Sequence, residues 1–241
     1  MTLLLLAGTG EARQIATALQ GHDIIASLAG VTRDPLPLPV PVRHGGFGSE
    51  AGFRDFLQKA QIHAVLDATH PYAARITQRS AAVCADLGLP FCQLLRPAWR
   101  AGPDDRWIEI ATEAQAADHI PPGATVFLGT GRQSLPGFAN LAGRRVICRQ
   151  IDPPDAPFPF AGGSYLVGRP PFSVDDEVAL FKRLGVDVLV VKNAGGQASA
   201  TKLTAARTLG LLVLMLARPA PGDWTRVETV QAALDWVAQC G

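Results

Sequence analysis

The sequence predicts an α/β protein in which two similar parallel sheets, each covered by helices, follow one another along the chain. Three observations predict it. Short, continuous apolar runs recur at 3–7, 23–27, 64–67, 91–95, 125–128, 145–149, 186–191 and 211–216, and uninterrupted rather than alternating apolar strands belong to parallel sheets buried on both faces. Stretches with helical spacing of apolar residues separate most of these runs, which is the alternation that builds such sheets. The pattern also occurs twice. Ala7-Gly8-Thr9-Gly10 closes the first run and Leu128-Gly129-Thr130-Gly131 closes one near mid-chain, and Asp67-Ala68-Thr69-His70 and Val191-Lys192-Asn193-Ala194 follow about 60 residues after each. Two tandem Rossmann-like domains with an active-site cleft between them account for both pairs.

Taken in order, 3–7 is a strand ended by glycine, and 13–19 continues as an amphipathic helix. The strand at 64–67 runs into Thr69-His70-Pro71-Tyr72, where Pro71 suits the first turn of a helix. The Pro-, Arg- and Gly-rich stretch 96–106 marks a boundary, dividing the chain into domains 1–98 and 99–241. The Pro-rich segment 151–171 reads as a long loop inside the second domain, and loops of that length commonly act as lids.

Composition excludes several classes of function. The 241 residues carry 22 Lys and Arg against 21 Asp and Glu, a formal net charge of +1, so binding to nucleic acid through bulk charge is not expected. Hydrophobic residues make up 48% and charged residues 18%, which is the composition of a folded chain rather than a disordered one. Lysine occurs only at positions 59, 182, 192 and 202; the remaining basic residues are arginines, the better fork for carboxylate or phosphate. Cys84, Cys92, Cys148 and Cys240 have neither C-x-x-C spacing nor a histidine at ligand spacing, so no metal site or disulfide framework is expected and a reduced cytoplasm is the expected compartment. The longest apolar stretch, 209–217, is short for a bilayer span, and no export signal is expected at the start of the chain.

Open parallel sheets bind ligands beyond the carboxyl ends of their strands, where helix N-termini offer unpaired N–H groups. Both Gly-Thr-Gly turns fall there. The first, around Gly8, Thr9 and Gly10, fits a phosphate site or a plain strand-to-helix turn, since its third fingerprint glycine is missing. Arg33 follows the second strand, where an NADPH-binding fold places a cation for the 2′-phosphate. Thr69 and His70 are expected to face the crevice, with His70 either handling protons or making a structural hydrogen bond. In the second domain, Arg132, Arg149, Lys192, Lys202, Arg207 and Arg218 gather near strand and helix ends, beside the glycine amides of 192–196, and together suit a polyanion. No G-x-S-x-G, H-E-x-x-H or complete P-loop is present. The four tryptophans are too dispersed to stack bases.

The segments L-A-G-T-G-E-A-R (6–13), D-A-T-H-P-Y-A (67–73), R-P-x-W (96–99), P-F-S (171–173), K-N-A-G-G (192–196), T-K-L-x-A-A (201–206) and A-R-P (217–219) together resemble the precorrin-6A reductases of cobalamin biosynthesis over nearly the whole chain. Ala194 departs from the serine expected in K-N-S-G. The resemblance implies a two-domain oxidoreductase that uses NADPH to reduce one double bond of the precorrin-6A macrocycle, giving precorrin-6B, with no nucleic-acid or membrane partner. On this reading the cofactor contacts are Gly8, Thr9, Gly10, Glu11, Arg13, Arg33 and Thr69, and the proton comes from His70, Tyr72 or water. Substrate carboxylates would meet Gly131, Arg132, Arg149, Lys192, Asn193, Lys202 and Arg218. The reverse placement of the two ligands stays open, because Arg132 beside Gly131 and Arg149 at a strand end also suit a phosphate. Other NAD(P)-dependent reductases, an S-adenosylmethionine-dependent methyltransferase and a non-catalytic nucleotide or tetrapyrrole sensor are the alternatives; the methyltransferase normally wants an acid where this chain has Ser27 and Arg33.

Overall fold

Leu3, Leu4, Leu5 and Leu6 are all buried, yet alternate ones serve different cores: Leu3 and Leu5 pack with Ala12, Ile15 and Ala233, whereas Leu4 and Leu6 pack with Phe53, Leu57 and Val83. A strand that feeds two cores must be covered by helices on both faces, as its unbroken apolar run predicts. A computed structural model describes residues 1–30, 36–197 and 199–241. They form two units, 1–97 with 219–241, and 98–218.

In the first unit β1 (Thr2–Leu6) leads into α1 (Gly10–Ala18), then β2 (Ile24–Leu28), β3 (Val42–His44), α2 (Glu50–Lys59), β4 (Ile62–Asp67), α3 (Ala74–Leu87) and β5 (Phe91–Leu94). The second unit holds β6 (Arg106–Ile110), α4 (Ala116–His119), β7 (Thr125–Leu128), a 3-10 helix (Arg132–Leu141), β8 (Arg145–Gln150) and β9 (Gly163–Val167). It continues through α5 (Val174–Leu184), β10 (Val188–Lys192), α6 (Thr201–Leu209) and β11 (Leu212–Leu216), after which β12 (Thr225–Val227) and α7 (Val230–Cys240) return to the first unit. All strand pairs are parallel, and the sheets run β3-β2-β1-β4-β5-β12 and β9-β8-β7-β10-β11-β6. Strand order therefore reverses between β1 and β4 in one sheet and between β7 and β10 in the other, which is the doubly wound arrangement the sequence predicts.

The structure departs from the sequence expectations at the margins. Residues 219–241 were expected in the second domain; instead β12 pairs with β5, and Val230, Leu234 and Val237 of α7 pack on the core shared with α1. Burying that apolar helix face against the first sheet is what draws the segment back. The expected loop at 151–171 contains β9, in register with β8 from Val146↔Gly163 to Gln150↔Val167. The second Gly-Thr-Gly turn opens a 3-10 helix with Pro136 inside it rather than an α-helix, since proline supplies no N–H for the i→i−4 ladder. Finally, α3 starts at Ala74, so Pro71 lies in a turn ahead of it, closed by the Ala73 amide donating to the His70 carbonyl at 2.7 Å.

Candidate functional site

In the first unit the switch point between β1 and β4 brings the turns at 7–10 and 67–70 together. Thr9 joins them: its Oγ1 donates to the Ala68 carbonyl at 2.7 Å and accepts from the Ala12 amide at 3.1 Å, capping α1. Gly8 has φ +136, which side-chain-bearing residues rarely adopt, and a Cβ at Gly8 or Gly10 would meet nothing within 4 Å. The space over the turn is thus open, and the nine residues of α1 point their amide ends at it. Glu11 lies in that first helical turn, where Arg96 hydrogen-bonds and neutralises it. Arg13 donates to the carbonyls of Leu36 and Pro37, at 3.1 and 2.5 Å, so it ties down the chain beyond β2. Arg33 lies outside the described residues.

Asp67, at the end of β4, is fully buried and carries the second turn: its carboxylate accepts from the Thr69 amide at 2.9 Å and from Thr77 Oγ1 at 2.5 Å. Burial pushes its carboxyl up from the usual range, and the hydrogen bonds from Thr69 and Thr77 pull the other way. His70 is exposed at the tip of this turn, with the Tyr72 ring 5.7 Å from its own. The Tyr72 amide donates to His70 Nδ1 at 3.3 Å, so a neutral imidazole carries its proton on Nε2 and presents it as a donor.

The second switch point is built differently. Gly129 is a packing requirement: a Cβ there would sit 3.1 Å from Val191 Cγ1 and 3.6 Å from Lys202 Cδ. Asn193, buried just past β10, clasps Trp99 with both ends of its amide: Trp99 N donates to Oδ1 at 2.8 Å and Nδ2 donates to the Trp99 carbonyl at 3.0 Å. Arg218 Nε donates to the Asn193 carbonyl at 2.6 Å. Arg132, just after Gly131, lies 3.6 Å from Asp155. Arg149 was expected as an open fork for a ligand, but its Nη1 and Nη2 grip Glu177 at 2.8 and 2.7 Å, and Glu177 is almost wholly buried.

Lys202, in the first turn of α6, donates to the Ser199 carbonyl at 2.6 Å and lies 5.6 Å from the Trp99 ring. Burial, and then the neighbouring Arg149 charge, bring its ammonium down to about 8, against a smaller opposing pull from Glu177. Burial likewise lowers Lys192, at the end of β10. Cations in the desolvated edge of a sheet, one of them beside the positive end of a helix, are poised for an anion. Arg207 takes no part, since it pairs with Asp105 at 2.8 Å. Residues that sequence reasoning did not assign to the site, Asp67, Arg96, Trp99 and Glu177, hold the assigned ones in place. Of these, Arg96 and Trp99 carry a sequence signal, the R-P-x-W segment.

A family model described as Precorrin-6x reductase CbiJ/CobK matches residues 2–238. A precorrin-6A reductase of Rhodococcus erythropolis is 43% identical over 98% of this chain and 96% of its own length, and one of Rhodobacter capsulatus is 37% identical over 99% and 96%. A solved structure, CobK precorrin-6A reductase, superposes with a TM-score of 0.95 at 38% identity, covering 100% of this chain and 98% of that one.

Proposed function

The chain belongs to the CbiJ/CobK family of precorrin-6x reductases, and on that premise we propose that it draws its reducing equivalents from NADPH held by the first unit while the second unit grips the substrate's carboxylates. It is an oxidoreductase acting on a CH–CH group, reducing precorrin-6A in cobalamin biosynthesis. No helix among the described residues is long and apolar enough to cross a membrane, and the cytoplasm is the proposed compartment.

One observation carries the placement of the two ligands. The first glycine turn opens a nine-residue α-helix under unobstructed space, whereas the second opens a 3-10 helix interrupted by Pro136 beside a group of cations. An α-helical N-terminus with aligned N–H groups suits a pyrophosphate; scattered cations suit separate carboxylate arms. Gly8, Gly10 and Thr69 would line the dinucleotide, with Thr9 fixing the turn, Arg13 the chain after β2, and Arg96 cancelling the charge of Glu11. Arg33 lies outside the described residues, and its assignment to the 2′-phosphate rests on its position in the sequence after β2.

NADPH, when bound, supplies a hydride; the chain's own residues must orient the macrocycle and deliver a proton to the neighbouring carbon. We assign the proton to His70 Nε2, with Tyr72 holding Nδ1 through its backbone. Arg132, Lys192, Lys202 and Arg218 would anchor carboxylates, and the Gly131 and Asn193 backbone would shape the turn they surround. Arg149 acts through Lys202, its own fork being filled by Glu177.

The reading is tested by following NADPH oxidation with precorrin-6A and comparing NADH. Faster turnover with NADPH is expected, eroded in Arg33→Ala; equal use of the two cofactors would overturn the cofactor assignment.

The cation assignment gives a pH dependence with a definite sign. Lys202 binds a carboxylate in its charged form, so substrate affinity should fall as pH rises through about 8, and Lys202→Arg should flatten that fall. Affinity should also weaken with added salt, each charge-assisted bond being worth about 1.5–3 kcal/mol. Substrate titrations at several pH values and ionic strengths measure both, and a flat response would count against the carboxylate cradle.

A further inference from the structure

We propose that Arg43 is a further specificity-determining residue: stacked on Phe47 and hydrogen-bonded to Ser27, it receives a phosphate monoester, the 2′-phosphate of the dinucleotide, at the carboxyl edge of β2 and β3. The identity of the monoester rests on the NADPH reading above; the anion site rests on the geometry that follows.

Ser27 and Arg43 are register partners on β2 and β3. The end of the second strand of a Rossmann unit is where the adenosine ribose is read, by an acid for a bare hydroxyl or a cation for a phosphate. Here that strand offers the buried, neutral Ser27, and the charge comes from the strand beside it. Arg43 Nη1 donates to Ser27 Oγ at 2.9 Å and to the Gly45 carbonyl at 2.8 Å, and Nη2 donates to the Gly46 carbonyl at 3.2 Å. These bonds hold the guanidinium in place, yet every acceptor is neutral. Of the five N–H donors of a guanidinium, Nε–H and one on Nη2 stay uncommitted among the described residues. The Arg43 guanidinium carbon lies over the Phe47 ring, 3.9 Å from its centre, so the ring supports the fork from one side.

A second cation shares that ring. The Arg79 guanidinium, from α3, lies 5.5 Å from the Phe47 centroid and 5.0 Å from that of Phe53, and its buried Nε and Nη2 have no hydrogen-bond partner. Among the described residues, the acid whose field reaches it is Glu50, itself 3.8 Å from Arg54. Burial lowers the pKa of both guanidinium groups, with a smaller opposing pull from Glu50 on Arg79. Two arginines around one phenylalanine, neither hydrogen-bonded to a carboxylate among the described residues, make a field that a phosphate dianion would satisfy. Arg79 is closed off from solvent at those nitrogens and acts through its charge, while Arg43 supplies the contact. The loop leaves room for it, since Gly45 and Gly48 have φ of +94 and +72 and a Cβ on either would meet nothing within 4 Å.

The test is calorimetric titration of the full chain with 2′,5′-ADP, with 5′-AMP and with inorganic phosphate, independent of turnover. The unaltered chain should bind 2′,5′-ADP roughly 10–100-fold more tightly than 5′-AMP, the range expected for one charge-assisted phosphate contact. Arg43→Met, which keeps the stacked stem, should bring the two within about threefold while 5′-AMP affinity holds. Ser27→Asp keeps Arg43 but gives it an internal carboxylate; it should abolish the preference as well, and it serves if Arg43→Met does not fold. If the unaltered chain prefers 2′,5′-ADP and the folded variants keep that preference, Arg43 is not the contact and the NADPH reading stands. If the unaltered chain shows no preference, both fall. Inorganic phosphate binding as tightly as 2′,5′-ADP would overturn the assignment to a nucleotide phosphate.

Discussion

His70→Ala should lower turnover by roughly 10²–10⁴-fold, the usual contribution of a positioned general acid, with NADPH affinity nearly unchanged. The residue sits at the tip of an exposed turn, so its loss removes little packing, and the melting temperature should stay within the range of an ordinary surface substitution. The Tyr72 amide bond to Nδ1 sharpens the expectation: asparagine at position 70 can hydrogen-bond but cannot pass a proton, so it should fail almost as badly as alanine. Single-turnover rates with the reduced cofactor in excess measure the effect. Near-normal turnover in His70→Ala would assign the proton to solvent or another group.

Glu177→Ala should destabilise the second unit by about 3–5 kcal/mol, because it strands the largely buried Arg149 guanidinium without its carboxylate. For a chain of this length that corresponds to a fall in melting temperature of roughly 6–20 °C. The double variant Arg149→Met with Glu177→Leu removes both charges and fills their space, and it should recover most of the loss. Chemical denaturation of the single and double variants gives the coupling directly, and equal instability in both would show that packing rather than charge is responsible. Arg149→Met alone should also raise the Lys202 pKa, since the Arg149 charge is one of the two causes that depress it. The pH above which substrate affinity declines should move upward in step.

The inner strands could be read from the sequence because burial on both faces leaves no room for polar residues; Leu3–Leu6 shows this most plainly, with consecutive leucines feeding opposite cores. The strands that escaped notice are β3, β6, β9 and β12, the outer strands of the two sheets. An outer strand is half solvated, so the three-residue Thr225-Arg226-Val227 carries no apolar run to mark it. Site residues divide in a similar way. The candidates Gly8, His70 and Lys202 stand out because their types suit ligand chemistry at strand ends and helix starts. Their supports do not, because each works through a partner remote in sequence: Thr77 for Asp67, Arg96 for Glu11, Glu177 for Arg149, and Trp99 for Asn193. Pattern and spacing report on one side chain at a time, and a hydrogen bond between residues 96 and 11 leaves no mark in either neighbourhood.

The return of β12 and α7 to the first sheet has a consequence for the order in which the chain takes shape on the ribosome. When residue 97 has been made, the β5 edge and the apolar face later covered by Val230, Leu234 and Val237 are still bare. Translation of residues 98–218 then occupies roughly 6–24 s at 5–20 residues per second. The second unit has all its strands at the end of that interval, while the first still lacks one. The half that starts to fold first is therefore the last to close, and through synthesis of the whole second unit it exposes an unpaired strand edge to the crowded surroundings of a nascent chain.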